Sequence, residues 1–90
     1  MIEWLLSAQR DLDGLSIEIR RRLLRRIFAL LQNHFPGSSK PLSGVKKGER
    51  SLRVGDYRVI YRVRNGGILV IAVGHRREIY DVWKNRLSSY

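Results

Sequence analysis

The stretch that decides the fold is residues 51–80, SLRVGDYRVIYRVRNGGILVIAVGHRREIY, whose pattern predicts consecutive antiparallel strands. Gly55-Asp56 is a glycine-first pair suited to a type II′ turn, and Asn65-Gly66 is the dipeptide that type I′ turns favour. These two tight turns predict a meander of three strands. The last strand, residues 68–73, is apolar at every position, so we expect it in the interior of the sheet.

The first turn sets which residues lie opposite each other. If Gly55 and Asp56 form the loop, Arg53 faces Arg58 across the ladder, because directly opposed residues share a face. Opposed like charges destabilise a sheet, so the two arginines require solvent, a nearby carboxylate, or an anion that both guanidinium groups hold. This pair is therefore a candidate anion-binding feature.

Alternation along the middle strand predicts two different faces. The face expected to pack against helices carries Tyr57, Val59, Tyr61 and Val63. The face expected to be exposed and rich in arginine carries Arg58, Ile60, Arg62 and Arg64. After the last strand the chain continues with His75, Arg76 and Arg77, so we expect cations to converge near one edge of the sheet.

The composition of the chain predicts a polyanionic partner. Among 90 residues, 18 are Lys or Arg and 8 are Asp or Glu, which gives a formal net charge of +10. This charge favours nucleic acid, an acidic protein or an anionic membrane surface. The absence of cysteine excludes a disulfide framework, a cysteine-based zinc site and a thiol nucleophile. The length predicts a single domain over residues 1–90, and the lack of a signal-peptide pattern or membrane-length apolar run predicts a cytoplasmic protein.

The N-terminal part predicts a short strand followed by a helical hairpin. Residues 2–6 suit an edge or parallel strand, or else a first helical turn, and residues 8–12 suit a short helix that Asp13-Gly14 ends with a left-handed glycine. A longer helix is expected from its cap at Ser16 to about Asn33. Its apolar face comprises Leu23, Leu24, Ile27, Phe28, Leu30 and Leu31, and its basic face comprises Arg21, Arg22, Arg25 and Arg26.

The remaining segments complete the prediction of the fold class. Residues 37–48 predict a loop, and residues 81–90 predict one or two helical turns anchored by Trp83 and Leu87. We therefore predict an α+β protein, in which a short N-terminal strand and a helical hairpin pack on one face of a small antiparallel sheet. The other face of the sheet is expected to be free.

Three segments in the second half of the chain resemble a known family. PLSG at 41–44, LRVGDYRVIYRV at 52–63 and VGHRREIY at 73–80 resemble the RelE/ParE superfamily of type II toxin–antitoxin toxins, and the RelE branch more than the ParE branch. The resemblance implies a RelE-like microbial RNase fold and an endoribonuclease that enters the ribosomal A site, cleaves mRNA there, and uses neither a metal nor another cofactor. It also implies an acidic antitoxin that silences the toxin.

The same resemblance implies which residues form the site. The implied catalytic residues are Arg58, Arg76, Tyr80 and His75. The implied RNA or phosphate contacts are Arg53, Arg77, Lys46, Lys47, Arg21, Arg22, Arg25 and Arg26. In such enzymes a ribose 2′-OH attacks the adjacent phosphate, so the site must accept a proton, stabilise charge on the phosphate, and protonate the leaving 5′-oxygen.

The chain departs from the family's pattern where a general base is expected. The positions that carry lysines in RelE toxins correspond to Glu49 and Ser51. Glu49 could act as the base, Lys46 or Lys47 could reach in from the loop, and His75 could exchange a proton because imidazole titrates near neutral pH. The sequence leaves these alternatives open.

Two other functions stay open beside the endoribonuclease. A ParE-like toxin shares the fold but inhibits DNA gyrase by binding, without a nuclease site. A non-toxic relative of the same fold would only bind an antitoxin or RNA, and the departures at Glu49 and Ser51 are the feature that favours it.

Overall fold

The computed structural model describes residues 1–44, 46 and 48–90, and within these residues it contains one five-stranded sheet with helices on both sides. In chain order the elements are β1 Ile2–Trp4, α1 Leu6–Asp13, α2 Ile17–Ala29, β2 Ser39–Pro41, β3 Glu49–Val54, β4 Tyr57–Arg64, β5 Gly67–His75, α3 Ile79–Asn85 and a 3₁₀ turn at Leu87–Ser89. The strand order is β1-β5-β4-β3-β2, with β1 parallel to β5 and the other pairs antiparallel. The predicted α+β class is confirmed.

The meander formed by β3, β4 and β5 follows the two predicted turns. Gly55 has a φ of 61°, and both Asn65 and Gly66 have positive φ, as the type II′ and type I′ turns require. Arg53 lies directly opposite Arg58 in the ladder between β3 and β4. The register predicted from the first turn is therefore confirmed.

The interior position predicted for the last strand is also confirmed, since β5 lies between β1 and β4. One irregularity interrupts its pairing with β4: Ile60 pairs with Ala72 and Tyr61 pairs with Val70, so Ile71 is passed over. Ile71 and Ala72 both join the hydrophobic cluster on the side of the sheet that α3 covers. The bulge thus widens the apolar surface on which α3 packs.

The beginning of the chain forms the parallel edge strand that was one of the two alternatives, and α1 follows it. The prediction of a left-handed glycine after α1 was wrong, because Gly14 has a φ of −78°. Its N–H donates to the Arg10 carbonyl and the Leu15 N–H donates to the Leu12 carbonyl, so the end of the helix is closed by backbone hydrogen bonds without a left-handed residue.

The second helix begins as predicted and ends earlier. Ser16 caps α2, with its Oγ accepting a hydrogen bond from the Ile19 N–H at 3.4 Å. The helix ends at Ala29 instead of Asn33, because the backbone then tightens into turns in which the N–H groups of residues 30–32 bond the carbonyl three residues earlier.

Only part of the apolar face of α2 is buried. Leu23, Ile27 and Leu30 lie in the core between the helices and the sheet, whereas Phe28 is 54% exposed. Of the predicted basic face, Arg21, Arg22 and Arg25 are exposed and Arg26 is half-buried. The amphipathic prediction holds, but the core takes up only the three residues nearest to the sheet.

The prediction of a free second face was wrong. Ile60, which the alternation placed on an exposed arginine-rich face, is fully buried under α3. Ile79 and Trp83 pack against it, together with Leu69 and Ile71 of β5. An apolar surface of this size on a sheet is stabilised by covering it, and the C-terminal helix supplies the cover.

The segment 37–48, predicted as a loop, contains the short strand β2, which pairs with β3 at the edge of the sheet. Of the two adjacent lysines in this segment, Lys46 is described and Lys47 lies outside the described residues. Within the described part of the chain, no helix combines the length and apolar character that crossing a membrane requires.

Candidate phosphate-binding site

A cavity of about 410 Å³ opens beside α3, where β2, β3 and β4 meet. The described residues that line it are Gly37, Ser38, Lys40, Pro41, Leu42, Ser51, Arg53, Arg58 and Tyr80. Three of these carry positive charge, three carry a hydroxyl group, and none carries a carboxylate. Such a lining suits an oxyanion, because each oxygen can accept charge-assisted hydrogen bonds.

The ladder pairing explains why these side chains converge. Lys40 of β2 lies opposite Ser51 of β3, and Arg53 of β3 lies opposite Arg58 of β4. Opposed residues share a face, and so do residues two apart in one strand, which places all four on one side of the sheet. The cationic cavity is thus a consequence of strand register.

The environment of the opposed arginines removes one of the three alternatives left by the sequence, which is pairing with a nearby carboxylate. The Nη1 of Arg58 donates hydrogen bonds to the carbonyl oxygens of Gly55 at 2.8 Å and Tyr57 at 2.9 Å. Within the described residues, neither Arg58 nor Arg53 forms a salt bridge, and Asp56 lies instead 3.7 Å from the Nε of Arg76. The pair therefore faces solvent or an anion.

Tyr80 forms part of the cavity wall from the first turn of α3. Its hydroxyl lies 3.2 Å from the Oγ of Ser51, and its side chain remains 38% exposed. This position combines an accessible aromatic ring with a hydrogen-bonding group beside the cations. Tyr80 is thus placed to stack on a base or to contact a ribose or phosphate oxygen.

The cluster at the end of β5 lies apart from the cavity. His75 is opposed to Tyr57, and their rings make an edge contact with centroids 5.7 Å apart. Tyr57 packs on the face of the sheet that α1 and α2 cover, so His75 lies on the face opposite to Arg58. The Nδ1 of His75 also accepts a hydrogen bond from the Arg77 N–H at 3.2 Å.

The two arginines that follow His75 are exposed at the sheet margin. Arg76 lies beside the turn between β3 and β4, where its N–H donates to the Asp56 carbonyl at 2.8 Å. Neither Arg76 nor Arg77 lines the cavity. The expected convergence of cations thus separates into two groups, one in the cavity and one beside the turn.

Glu49 is fully buried and outside the cavity lining. Its Oε2 accepts a hydrogen bond of 2.6 Å from the Tyr90 hydroxyl, which in turn accepts one of 2.9 Å from the Trp83 indole N–H. Burial, followed by the bond to Glu49, raises the pKa of Tyr90 to about 12. The ammonium of Lys46 lies 3.8 Å from the centre of the Tyr90 ring. Both Glu49 and Lys46 are therefore engaged with the C-terminal segment.

One member of the basic helix face supports the cavity wall from behind. The guanidinium of Arg26 donates to the Oγ of Ser38 at 2.8 Å and to the Arg53 carbonyl at 3.4 Å. Arg21, Arg22 and Arg25 do not line the cavity. Arg26 thus contributes to the position of two lining residues instead of presenting its charge to solvent.

Lys40 is the lining cation that sequence reasoning missed. It falls in the segment predicted as a loop, and only the pairing of β2 with β3 brings it beside Ser51. The signal that could have revealed it is Pro41, because a residue that precedes proline is biased towards extended backbone. An extended Ser39-Lys40 next to the meander would have suggested an edge strand.

Comparisons with known proteins show the family of this chain and agree with its fold. Residues 2–80 match the family described as the ParE toxin of the type II toxin-antitoxin system parDE. The chain is 34% identical over 84 residues to "Toxin RelE" of Mycobacterium tuberculosis, an alignment that covers 93% of this chain and 78% of the relative.

Solved structures show the same fold. The toxin–antitoxin complex RelBE2 of Mycobacterium tuberculosis matches with a TM-score of 0.72 and 28% identity, over 84% of this chain and 96% of that one. A mutant E. coli toxin RelE in the free state matches with a TM-score of 0.75 and 19% identity, over 97% of this chain and 96% of that one. On the family match and the identity to the curated relative, this chain belongs to the RelE/ParE superfamily of type II toxin–antitoxin toxins.

Proposed function

We propose that this protein is a ribosome-dependent endoribonuclease of the RelE type, which cleaves mRNA in the A site and thereby inhibits translation. The observation that carries the proposal is the cavity in which Lys40, Arg53 and Arg58 meet without a carboxylate among the described lining residues. A phosphodiester supplies the negative charge that this arrangement lacks. The relative named as a RelE toxin supports the same choice.

The reaction proposed for the cavity is transesterification within the RNA strand. The 2′-hydroxyl loses its proton and its oxygen bonds to the adjacent phosphorus, while the bond from phosphorus to the 5′-oxygen breaks and that oxygen takes up a proton, which leaves a 2′,3′-cyclic phosphate and a 5′-hydroxyl. Negative charge on the nonbridging oxygens increases as the 2′-oxygen attacks. Arg53 and Arg58 would stabilise that charge with their guanidinium groups, and the guanidinium of Arg58 is already held by the carbonyl groups of Gly55 and Tyr57.

The other site residues take roles that follow from their positions. Tyr80 would orient the nucleotide at the cavity wall, because its ring and hydroxyl are both accessible beside Ser51. Arg76 and Arg77 would contact RNA phosphates outside the cavity, as would Arg21, Arg22 and Arg25 on α2. Glu49 and His75 are poorly placed for proton transfer, since the first is buried under Tyr90 and the second lies on the opposite face.

The proposed partners are the translating ribosome and an antitoxin. Among the relatives of known structure are toxin–antitoxin complexes, and the net charge of +10 predicts that the antitoxin segment covering this protein is acidic. Binding of such a segment over the cavity would compete with RNA for the same cations.

The test is a cell-free translation reaction in which mRNA 5′ ends are mapped after the protein is added, with and without ribosomes. The wild-type protein is expected to produce cuts only on translating ribosomes, and Arg58→Ala is expected to abolish them. Arg64→Ala is the matched control, because Arg64 is on the same strand, exposed, and paired with Glu3 at 3.0 Å outside the cavity. If Arg58→Ala cleaves mRNA as the wild type does, the cavity is not the site of cleavage.

A second candidate function is inhibition of DNA gyrase, which the match to the ParE toxin family favours. A ParE-like toxin would leave mRNA intact in the same reaction and would block supercoiling by purified gyrase. Running both assays on one preparation separates the two functions. Activity in neither assay would favour a relative that binds only an antitoxin or RNA.

A further inference from the structure

Lys40 occupies a position in the cavity that nothing in the family resemblance assigns. The resemblance places a lysine where this chain has Ser51, and the ladder puts Lys40 directly opposite Ser51 on the neighbouring strand. Directly opposed side chains start about 5 Å apart and point to the same side of the sheet. The flexible stem of a lysine spans such a distance, so its ammonium can enter the same space from β2 as from β3.

The surroundings of Lys40 separate it from its neighbours in the strand. The Oγ of the preceding residue, Ser39, lies 2.7 Å from both the Tyr61 hydroxyl and the Nε of Arg50, so that residue is part of the internal structure. Lys40 itself is exposed, lines the cavity, and forms no salt bridge with any described residue. The fold therefore leaves its charge available to a ligand.

We propose that Lys40 is a catalytic residue of this toxin, which supplies from the edge strand the cation that relatives supply from the position of Ser51. This inference rests on the proposed endoribonuclease function. The ammonium of Lys40 would donate hydrogen bonds to a nonbridging oxygen of the scissile phosphate from the β2 edge of the cavity, while Arg53 and Arg58 act from β3 and β4. Its contribution grows as charge develops in the transition state, so it acts on the rate more than on binding.

An edge strand offers a simpler use for a lysine, which is to discourage pairing with another chain. If this is its use, replacing Lys40 causes aggregation but leaves the rate of mRNA cleavage per folded molecule unchanged. The catalytic role predicts the reverse. The two are therefore separable by measuring cleavage under conditions in which every variant is monomeric and folded.

The experiment is single-turnover cleavage of mRNA on programmed ribosomes at saturating protein. Lys40→Ala is expected to lower the rate constant about 10- to 100-fold, with little change in the protein concentration at half-saturation. Lys40→Arg is expected to keep more activity than Lys40→Ala, because it retains the charge. Lys84→Ala is the matched control, since Lys84 is an exposed lysine on α3 that does not line the cavity, and its rate is expected to equal that of the wild type.

The double variant Lys40→Ala with Ser51→Lys tests whether a lysine on β3 can replace the lysine on β2. If Lys40 fills the place of the missing lysine, adding one at position 51 should recover at least about 10-fold of the lost rate. A folded Lys40→Ala protein that cleaves at the wild-type rate would overturn the proposal, as would a folded double variant without recovery. If the wild-type protein itself leaves mRNA intact, the proposed function fails and this inference fails with it, which distinguishes the two outcomes.

Discussion

Arg58 and Arg86 are both half-buried arginines, yet the protein treats their charges in opposite ways. The guanidinium of Arg86 makes two hydrogen bonds to the carboxylate of Asp11, at 2.6 Å and 2.9 Å, and a third to the Ile71 carbonyl at 3.1 Å. Among the residues that the structure describes, Arg58 bonds only to neutral carbonyl groups, and it lies opposite another arginine. A charge balanced inside the fold supports structure, whereas a charge left unbalanced in a cavity is available to a ligand.

Arg86 and Asp11 also form hydrogen bonds with backbone groups along the edge of β5. The strand β1 pairs with β5 only as far as Val70, so the backbone beyond that point lacks a neighbouring strand on this side. Asp11 accepts a hydrogen bond from the Val73 N–H at 3.0 Å, while Arg86 bonds the Ile71 carbonyl. The pair thus satisfies backbone groups that the bulge and the short edge strand leave open.

The largest expected effect comes from removing the unbalanced charge. We expect Arg58→Ala to lower the rate of mRNA cleavage about 100- to 1,000-fold, because a fixed group that stabilises charge in the transition state is lost. The free energy of unfolding should stay within about 0.5 kcal/mol of the wild-type value, since an opposed like charge is removed and no carboxylate loses a partner. The cleavage assay measures the rate, and chemical denaturation measures the free energy of unfolding. A large loss of stability in Arg58→Ala would show that the charge of Arg58 supports the fold.

Removing the balanced charge should act on stability alone. We expect Arg86→Ala to lower the free energy of unfolding by about 2 kcal/mol, because the mostly buried Asp11 carboxylate loses its ionic partner. The cleavage rate should remain close to that of the wild type at a temperature where both proteins are folded. Denaturant unfolding measures the first quantity, and a variant as stable as the wild type would show that the ion pair is not structural.

The contact between Tyr90 and Glu49 gives a smaller effect that depends on pH. The folded-state pKa of Tyr90, about 12, lies above its ordinary value of 10, so this contribution is present below pH 10 and is lost as the pH rises towards 12. We expect Tyr90→Phe to destabilise the protein by about 1–2 kcal/mol at neutral pH, because Glu49 loses its hydrogen-bond partner. Unfolding measured from pH 8 to pH 12 should show a weaker decline for the variant than for the wild type, and equal declines would be evidence against the contact.

The smallest effect is expected at His75. Its ring lies against Tyr57 on the face opposite to Arg58, so His75→Ala should change the cleavage rate by no more than about threefold. Single-turnover cleavage over a range of pH measures this directly. If His75→Ala lowers the cleavage rate as much as Arg58→Ala does, the histidine reaches the phosphate. The cluster at the end of β5 would then act in the same site as the cavity cations.

Much of the fold could be predicted because the decisive signals are local. The pairs Gly55-Asp56 and Asn65-Gly66 set the turns, and the turns set the register that opposes Arg53 and Arg58. The α+β class and the capped start of α2 at Ser16 likewise follow from local patterns, which need no knowledge of distant contacts. The strand at the beginning of the chain, in contrast, was only one of two alternatives because its pairing with β5 is distant in sequence.

The site was only partly predictable because it depends on which elements cover which face. No local pattern in the sequence indicates that α3 packs over Ile60. The face expected to be free is instead divided between a buried apolar patch and a cavity. For the same reason Glu49 is buried under Tyr90 instead of facing a substrate. Lys40 enters the cavity through the pairing of β2 with β3, which joins segments separated by an irregular loop.

The proposed function requires that the unbalanced cations of the cavity act on the scissile phosphate. Its most direct test compares mRNA 5′ ends produced on translating ribosomes by the wild type, Arg58→Ala and Arg86→Ala, at a temperature where all three are folded. If the cavity holds the phosphate, the cuts vanish with Arg58→Ala and persist with Arg86→Ala. Cuts of equal intensity from the wild type and Arg58→Ala would contradict it.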